Sequence, residues 1–260
     1  MQITSVEVGN LIESDSPFLF LGLGSCFITH FEKFANTQNL PYLANPLGTS
    51  FNPISIGRQV KWIFESDFKL LPPFKFNDKI HQLDAAAKFH SEDQEDLDLM
   101  LKQQHQTVQN HISRSRNHQP ILLISFGTAH AWYLSNTIVN NCHKLPNELF
   151  KRTIIDVDAV VNYWKEVLKS IPSDWKIVFT VSAVKYSKLG MVENSLGKSI
   201  LRLAIDKLTR QYSQCYYFPS YEIITDELRD YSYFKENGTH PTDEAAEIVM
   251  RRFKSFLNLE

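Results

Sequence analysis

The 260 residues are 43% hydrophobic and 22% charged, with 27 basic side chains against 29 acidic ones. That suffices to bury the core of one large α/β domain or two small ones, and a net charge of −2 gives no bulk attraction for nucleic acid or an anionic membrane. No apolar run reaches the ~18 residues of a membrane span. The opening Met-Gln-Ile-Thr-Ser-Val-Glu-Val lacks the basic start of a signal peptide, and Cys26, Cys142 and Cys215 are too few and too scattered for a disulfide framework or a zinc spacing. A reduced, cytoplasmic protein without membrane or nucleic-acid partners is the expectation.

Residues 1–17 read as an extended arm or edge strand. Phe18–Leu23 is apolar on both faces, as inside a parallel sheet. Gly24-Ser25 ends it, and a helix follows through Phe27, Phe31 and Phe34. Pro41–Ala44 is a short strand entering a turn-rich loop, residues 45–53. Ser55–Phe64 is helical, with Ile56, Val60 and Ile63 on one stripe. Residues 67–92 read as an irregular excursion or a small hairpin and residues 92–116 as a long polar helix, so 67–118 is the main insertion. Ile121–Ile124 is the clearest central strand and ends in Ser125-Phe126-Gly127-Thr128. Residues 129–150 form a polar and aromatic patch. Then come a helix over Asp156–Ile171, a buried strand over Lys176–Val181, and a helix over Glu193–Tyr212 with Leu196, Ile200, Leu203, Ala204 and Leu208 inward. Cys215–Phe218 is the last strand. Thr242 caps a final helix packed through Val249, Phe253 and Phe256. Strands alternate with helices, without repeats or linkers. The expectation is one domain, residues 1–260, built on a doubly wound parallel sheet.

Open parallel sheets bind ligands beyond the carboxyl ends of their strands. Four such ends carry polar turns, at Ser25, Gly48, Gly127-Thr128 and Ser182, and the loop Gly238–Pro241 can reach the same edge. Hydrolysis by serine needs a hydroxyl, a base to deprotonate it, a group that orients the base, and N–H donors for the oxyanion. Ser25 on its tight turn suits the nucleophile and His240 the base. Gly48 can offer a backbone N–H, and the Asn141 amide is a further donor. The plainer reading of Gly24-Ser25 is a turn in which Ser25 caps the helix.

Gly24-Ser25-Cys26-Phe27 resembles the signature of the GSCFA family, a branch of the SGNH/GDSL-like hydrolases. Further blocks agree in order: Asn45-Pro46-Leu47-Gly48-Thr49, Phe126-Gly127-Thr128-Ala129, Asn141-Cys142-His143-Lys144, Glu193-Asn194-Ser195, Tyr217–Glu222 and His240-Pro241. The resemblance covers about residues 20–255. It implies a flavodoxin-like three-layer α/β/α fold with a parallel sheet, and a serine hydrolase site without cofactor or metal. In that site Ser25 is the nucleophile, Gly48 the oxyanion glycine and His240 the base. Two positions depart from the wider superfamily. Asn237 stands where an Asp precedes the His; it can accept a hydrogen bond but brings no charge, and Glu236 is the neighbouring carboxylate. Ala129 stands where an Asn donor is usual, which leaves Asn141, Thr128 or a backbone group to replace it.

Other residues carry two readings each. His130 and His143 are either hydrogen-bonded structural histidines or substrate contacts. Trp132 and Tyr133 either stack on a sugar ring or pack the core. Cys26 reads as a small buried residue, with a cysteine nucleophile as the alternative, and Lys185 and Lys198 read as solvated charges. His105 and His111 fall on different helix faces and make no metal site. The expected activity is hydrolysis of an acyl ester, an acetyl ester on a carbohydrate included. An O-acyltransferase on the same site and a ligand-binding protein without turnover are the alternatives. The expected partner is a small-molecule or carbohydrate ester, and the chain a monomer or homo-oligomer.

Overall fold

The computed structural model describes residues 4–9, 14 and 16–259. In chain order the elements are β1 (Phe18–Gly24), α1 (Cys26–Thr37), β2 (Tyr42–Ala44), α2 (Pro53–Phe64), β3 (Phe74–Phe76), β4 (Lys79–His81), β5 (His90–Ser91) and α3 (Gln94–Ile112). There follow β6 (Gln119–Phe126), β7 (His130–Leu134), β8 (Thr137–Val139), β9 (Phe150–Ile154), α4 (Val157–Ser170), β10 (Lys176–Val181), α5 (Met191–Gln211), β11 (Cys215–Tyr217), α6 (Ser220–Glu222) and α7 (Asp243–Phe256).

Five parallel strands form the central sheet in the order β11-β10-β6-β1-β2. Counting only these strands, this is the doubly wound order 2-1-3-4-5, in which the chain reverses direction across the sheet beside the first strand. Alternation along each strand sends side chains to two separate cores. Leu19, Leu21 and Leu23 of β1, with Leu122 and Ile124 of β6, pack under α2, α4 and α5. Phe18 and Phe20, with Ile121 and Leu123, pack under α1 and α7. The result is three layers, with the parallel sheet between helices.

Both small excursions are antiparallel sheets. Residues 74–91 hold β3-β4-β5, where the sequence pointed to an irregular stretch or a hairpin. Residues 130–154 hold β8-β7-β9, for which the sequence pattern assigned no strand. The β7–β8 turn runs through Ser135 at φ 53, a left-handed position filled without the Gly or Asn that usually announces one. Residues 4–9 and 16–17 form no strand; the Val6 N–H donates to Glu227 Oε2 at 2.7 Å. The rest of the expected arm, residues 1–3, 10–13 and 15, lies outside the described residues.

The final helix is capped as the sequence indicated by Thr242, whose Oγ1 accepts from the Ala245 N–H, and the structure adds side-chain caps at Asn52, Asp93 and Asp156. Ser25, at the start of α1, makes no side-chain cap. The inward face of α5 is rotated from the expected one. Leu196 and Leu203 are 47% and 55% exposed, while Lys198, Leu201 and Ile205 turn inward. A lysine in the buried row hid the true face.

Candidate active site

Ser25 stands one residue beyond the carboxyl end of β1, where Gly24 pairs with Ser125 of β6. Gly24 has φ +130, and a Cβ there would lie 2.1 Å from the Ser125 carbonyl oxygen, so no side chain fits. The Gly24 N–H donates to Asn45 Oδ1 at 2.8 Å, which pins the turn to the loop after β2. The Ser25 N–H continues the ladder by donating to the Ser125 carbonyl at 3.0 Å. The Ser25 hydroxyl lies 2.6 Å from the Ser125 hydroxyl, and Ser25 as a residue is 1% exposed.

Beyond Ser25, the first turn of α1 opens on a cavity of about 270 Å³. Cys26, Phe27 and His30 line it from α1, Ser182 from the end of β10, and Ala246, Val249 and Met250 from α7; Lys235 and His240 come from the loop before α7. The first turn of α1 carries no acidic residue, so its positive end is unneutralised. The Cys26 and Phe27 N–H groups make no backbone hydrogen bond among the described residues. Burial pushes the Cys26 thiol up, against a lowering contact from its own backbone. Burial also lowers the His30 imidazole; Asp243 opposes that, and Lys235 and Lys33 add to it.

His240 is exposed, on a loop tied at several points. The Lys185 N–H donates to the Thr239 carbonyl at 2.9 Å, the Lys235 N–H to the His240 carbonyl at 2.8 Å, and the Gly238 N–H to the Lys235 carbonyl at 2.7 Å. Lys185 is no free charge: its ammonium lies 3.8 Å from the Phe234 ring centre and 4.8 Å from that of Tyr231. Asn237 Oδ1 accepts from the Thr239 N–H at 2.9 Å, the Thr239 hydroxyl at 2.9 Å and the His240 N–H at 3.2 Å. His240 Nδ1 lies 3.0 Å from Thr239 Oγ1 and 3.5 Å from Asn237 Nδ2. The exposed Glu236 carboxylate makes no hydrogen bond or ion pair among the described residues.

The other sequence candidates lie elsewhere. The Gly48 N–H donates to the Asn45 carbonyl at 2.7 Å, closing a turn, and a Cβ on Gly48 (φ +79) would meet Ala86 Cβ at 2.4 Å. The Gly48 N–H, an expected oxyanion donor, and the Ser25 N–H therefore already have acceptors. Asn141 Oδ1 accepts from the His143 N–H at 2.7 Å, and Thr128 Oγ1 from the His130 N–H at 3.0 Å. His130 Nε2 lies 3.2 Å from Glu193 Oε2. None of Gly48, Thr128, His130, Asn141 and His143 lines the cavity with His240. Trp132 packs under the Arg152 guanidinium, 5.0 Å from its ring centre, and against Phe150.

His143 is buried, and neither ring nitrogen has a hydrogen-bond partner; the Ala85 backbone lies beside the ring but outside bonding geometry. Burial, with His81 adjacent, lowers it to about 4. No group of three His, Cys, Asp or Glu among the described residues is arranged to hold a metal.

Lys198 is not a solvated charge. It is 4% exposed, and its Nζ lies 2.6 Å from both the Gly127 and the Ser182 carbonyl oxygens. Burial lowers it to about 7, and the two carbonyls supply acceptors for its N–H groups. It clamps the carboxyl ends of β6 and β10 together. The signal in the sequence is its place in the row Asn194, Gly197, Lys198, Leu201, Ile205, Leu208, all of which are buried.

Among solved structures, an acylhydrolase candidate from Bacteroides fragilis NCTC 9343 is similar at 10% identity and a TM-score of 0.45, over 97% of this chain and 91% of that one. A carbohydrate esterase family 3 protein from Talaromyces cellulolyticus is similar at 8% identity and a TM-score of 0.40, over 94% and 96%. A serine-to-alanine mutant of an acetyl esterase, with acetate ion, is similar at 8% identity and a TM-score of 0.39, over 94% and 96%. Likeness at this level says nothing about the chemistry of this chain. No curated protein matches it. The model of the GSCFA family matches residues 19–253, from the second residue of β1 to the last full turn of α7, and the chain belongs to that family.

Proposed function

We propose that the chain is a serine-dependent hydrolase of small acyl esters. The observation that carries this reading is the cavity at the first turn of α1: His240 is on its wall, and Ser25 immediately precedes the wall residues Cys26 and Phe27. The Ser25 hydroxyl is not spent on capping the helix; its partner is a second hydroxyl, that of Ser125. For attack, Oγ leaves Ser125 for another staggered χ1 well. His240 then takes the hydroxyl proton as Oγ attacks the acyl carbon, and returns it to the leaving alkoxide; water repeats the cycle on the acyl-serine. The Cys26 and Phe27 N–H groups, at the positive end of α1, hold the oxyanion in place of the occupied Gly48 and Ser25 N–H groups. An acetyl group suits the cavity's size. Trp132 and Tyr133 are not on its wall, so no sugar-stacking platform supports a carbohydrate in particular.

One observation favours a second reading: Cys26, unlike Ser25, is on the cavity wall. Cys26 is then the nucleophile and Ser25 part of the scaffold. Turnover of p-nitrophenyl acetate by Ser25→Ala and Cys26→Ala separates the two. Under the serine reading Ser25→Ala loses about a thousandfold in kcat, while Cys26→Ala stays within a few-fold. The reverse pattern, or an acyl adduct mapped to residue 26, overturns Ser25; wild-type turnover in both variants overturns hydrolysis at this site.

A further inference from the structure

His240 needs a partner that holds a hydrogen on Nδ1, so that Nε2 keeps its lone pair for the nucleophile. The sequence offered Asn237 or Glu236. The hydrogen bonds around the loop point to neither. Asn237 Oδ1 is fixed by two backbone donors, the Thr239 and His240 N–H groups, so the orientation of its amide is determined. The NH2 end is therefore the one that faces His240 Nδ1, at 3.5 Å. An amide NH2 cannot accept a hydrogen bond, so on its own Asn237 favours the bare Nδ1 and the wrong tautomer. The Thr239 hydroxyl has a single hydrogen and gives it to Asn237 Oδ1 at 2.9 Å. Its lone pairs then face His240 Nδ1 at the shorter distance of 3.0 Å.

We infer that Thr239 is the positioning residue for His240: its hydroxyl accepts the Nδ1 hydrogen and passes the hydrogen-bond chain to Asn237 Oδ1. Asn237 acts through Thr239, holding the hydroxyl in its accepting orientation. Three backbone bonds keep the chain in register, from Lys185 N–H to the Thr239 carbonyl, Lys235 N–H to the His240 carbonyl and Gly238 N–H to the Lys235 carbonyl. Glu236 takes no part. The inference rests on the reading of His240 as the base, but its central claim, the tautomer, is measurable without turnover.

The test is nitrogen NMR of the full chain with labelled histidine, at alkaline pH where the imidazole is neutral, the His240 signals being assigned by their loss in His240→Gln. Wild type is expected to carry the hydrogen on Nδ1. Thr239→Val keeps the branched shape and removes the acceptor, so the Asn237 NH2 is left facing Nδ1 and the hydrogen moves to Nε2. Thr239→Ser restores the wild-type tautomer. In ester turnover Thr239→Val is expected to lose about tenfold or more in kcat, with KM within about twofold and rescue by Thr239→Ser. A wild-type ring protonated on Nε2, or a tautomer that Thr239→Val leaves unchanged, overturns the inference even if Thr239→Val slows turnover. If His240→Gln turns over ester at the wild-type rate, the hydrolase reading fails instead, and the tautomer still decides what Thr239 does.

Discussion

Ser25 lies between two unlike regions. On one side the loop after β2 meets the small β3-β4-β5 sheet through buried polar groups, several of them tied to one another, while Gln59 Oε1, His81 Nδ1, Asn140 Oδ1 and the His143 ring nitrogens have no partner among the described residues. Gln59 Nε2 donates to Ser50 Oγ and to the Asp84 carbonyl, both at 2.7 Å; the Arg58 guanidinium lies 2.6 Å from the Asp84 carboxylate, which also accepts from the Leu71 N–H at 2.7 Å. On the other side the α1 and α7 wall leaves His240, Lys235 and the first turn of α1 open to a cavity. The sequence pointed to Gly48 and Asn141 on the packed side as readily as to His240 on the open one. Paired, buried polar groups fix a shape at high energetic stake, whereas chemistry needs polar groups that a ligand can still reach. The packed side holds the Gly24-Ser25 turn in place, through Asn45 and the Ser50 N–H, and the open side is where the proposed hydrolase would bind its ester.

The largest effect should come from breaking the packed side. Asp84 is fully buried, and burial raises its carboxyl, against the lowering pull of the Arg58 guanidinium and the Leu71 N–H. Arg58→Ala strands that carboxyl and leaves the Ile138 carbonyl without its guanidinium donor. A loss of about 3–5 kcal/mol in urea unfolding is expected. A loss below about 1 kcal/mol would mean that this network is ornamental and the contrast between the two sides is false.

A weak point within the packed side sharpens the same comparison. His143 is lowered from 6.5 to about 4, chiefly by burial. Between those values the unfolded chain takes up a proton that the folded ring refuses, so stability is complete above pH 6.5 and falls as the pH drops toward 4. The loss saturates below that, at up to about 3 kcal/mol. His81 and His111, also lowered by burial, add to the same slope. His143 sits at φ 52, which Asn tolerates, so His143→Asn should unfold less steeply between pH 6.5 and 4 than wild type. An unchanged acid transition would show that the ring is reached by water, and that this side is less closed than its burial indicates.

Most of the fold was legible because alternation and apolar runs report burial directly. Phe18–Leu23, Ile121–Ile124 and Lys176–Val181 are the three central strands, buried on both faces. What escaped has physical causes. The β7-β8-β9 sheet turns at a serine, and α5 buries a lysine whose two carbonyl acceptors arrive from distant strands. At the site, Gly24-Ser25 and His240 could be singled out because a turn and a loop before a helix are local patterns. That the Gly48 N–H closes its own turn, and that a threonine hydroxyl lies nearer to His240 Nδ1 than the Asn237 amide does, are matters of local geometry, which residue types and spacing do not encode.

The smallest effect tests the open side. Thr242 links the His240 loop to α7: its Oγ1 accepts from the Ala245 N–H at 3.2 Å, and its own N–H donates to the Tyr233 carbonyl at 2.8 Å. Thr242→Ala removes only the first bond, and a loss of about 1 kcal/mol is expected. Because Ala246, Val249 and Met250 form the cavity wall just beyond this cap, the cost should appear locally. Amide exchange should speed up over residues 243–247, while the packed side keeps its protection. If protection falls equally around Gln59 and Asp84, the two sides unfold as one unit. The open wall is then no more independent of the scaffold than the packed one, and the division of labour around Ser25 fails.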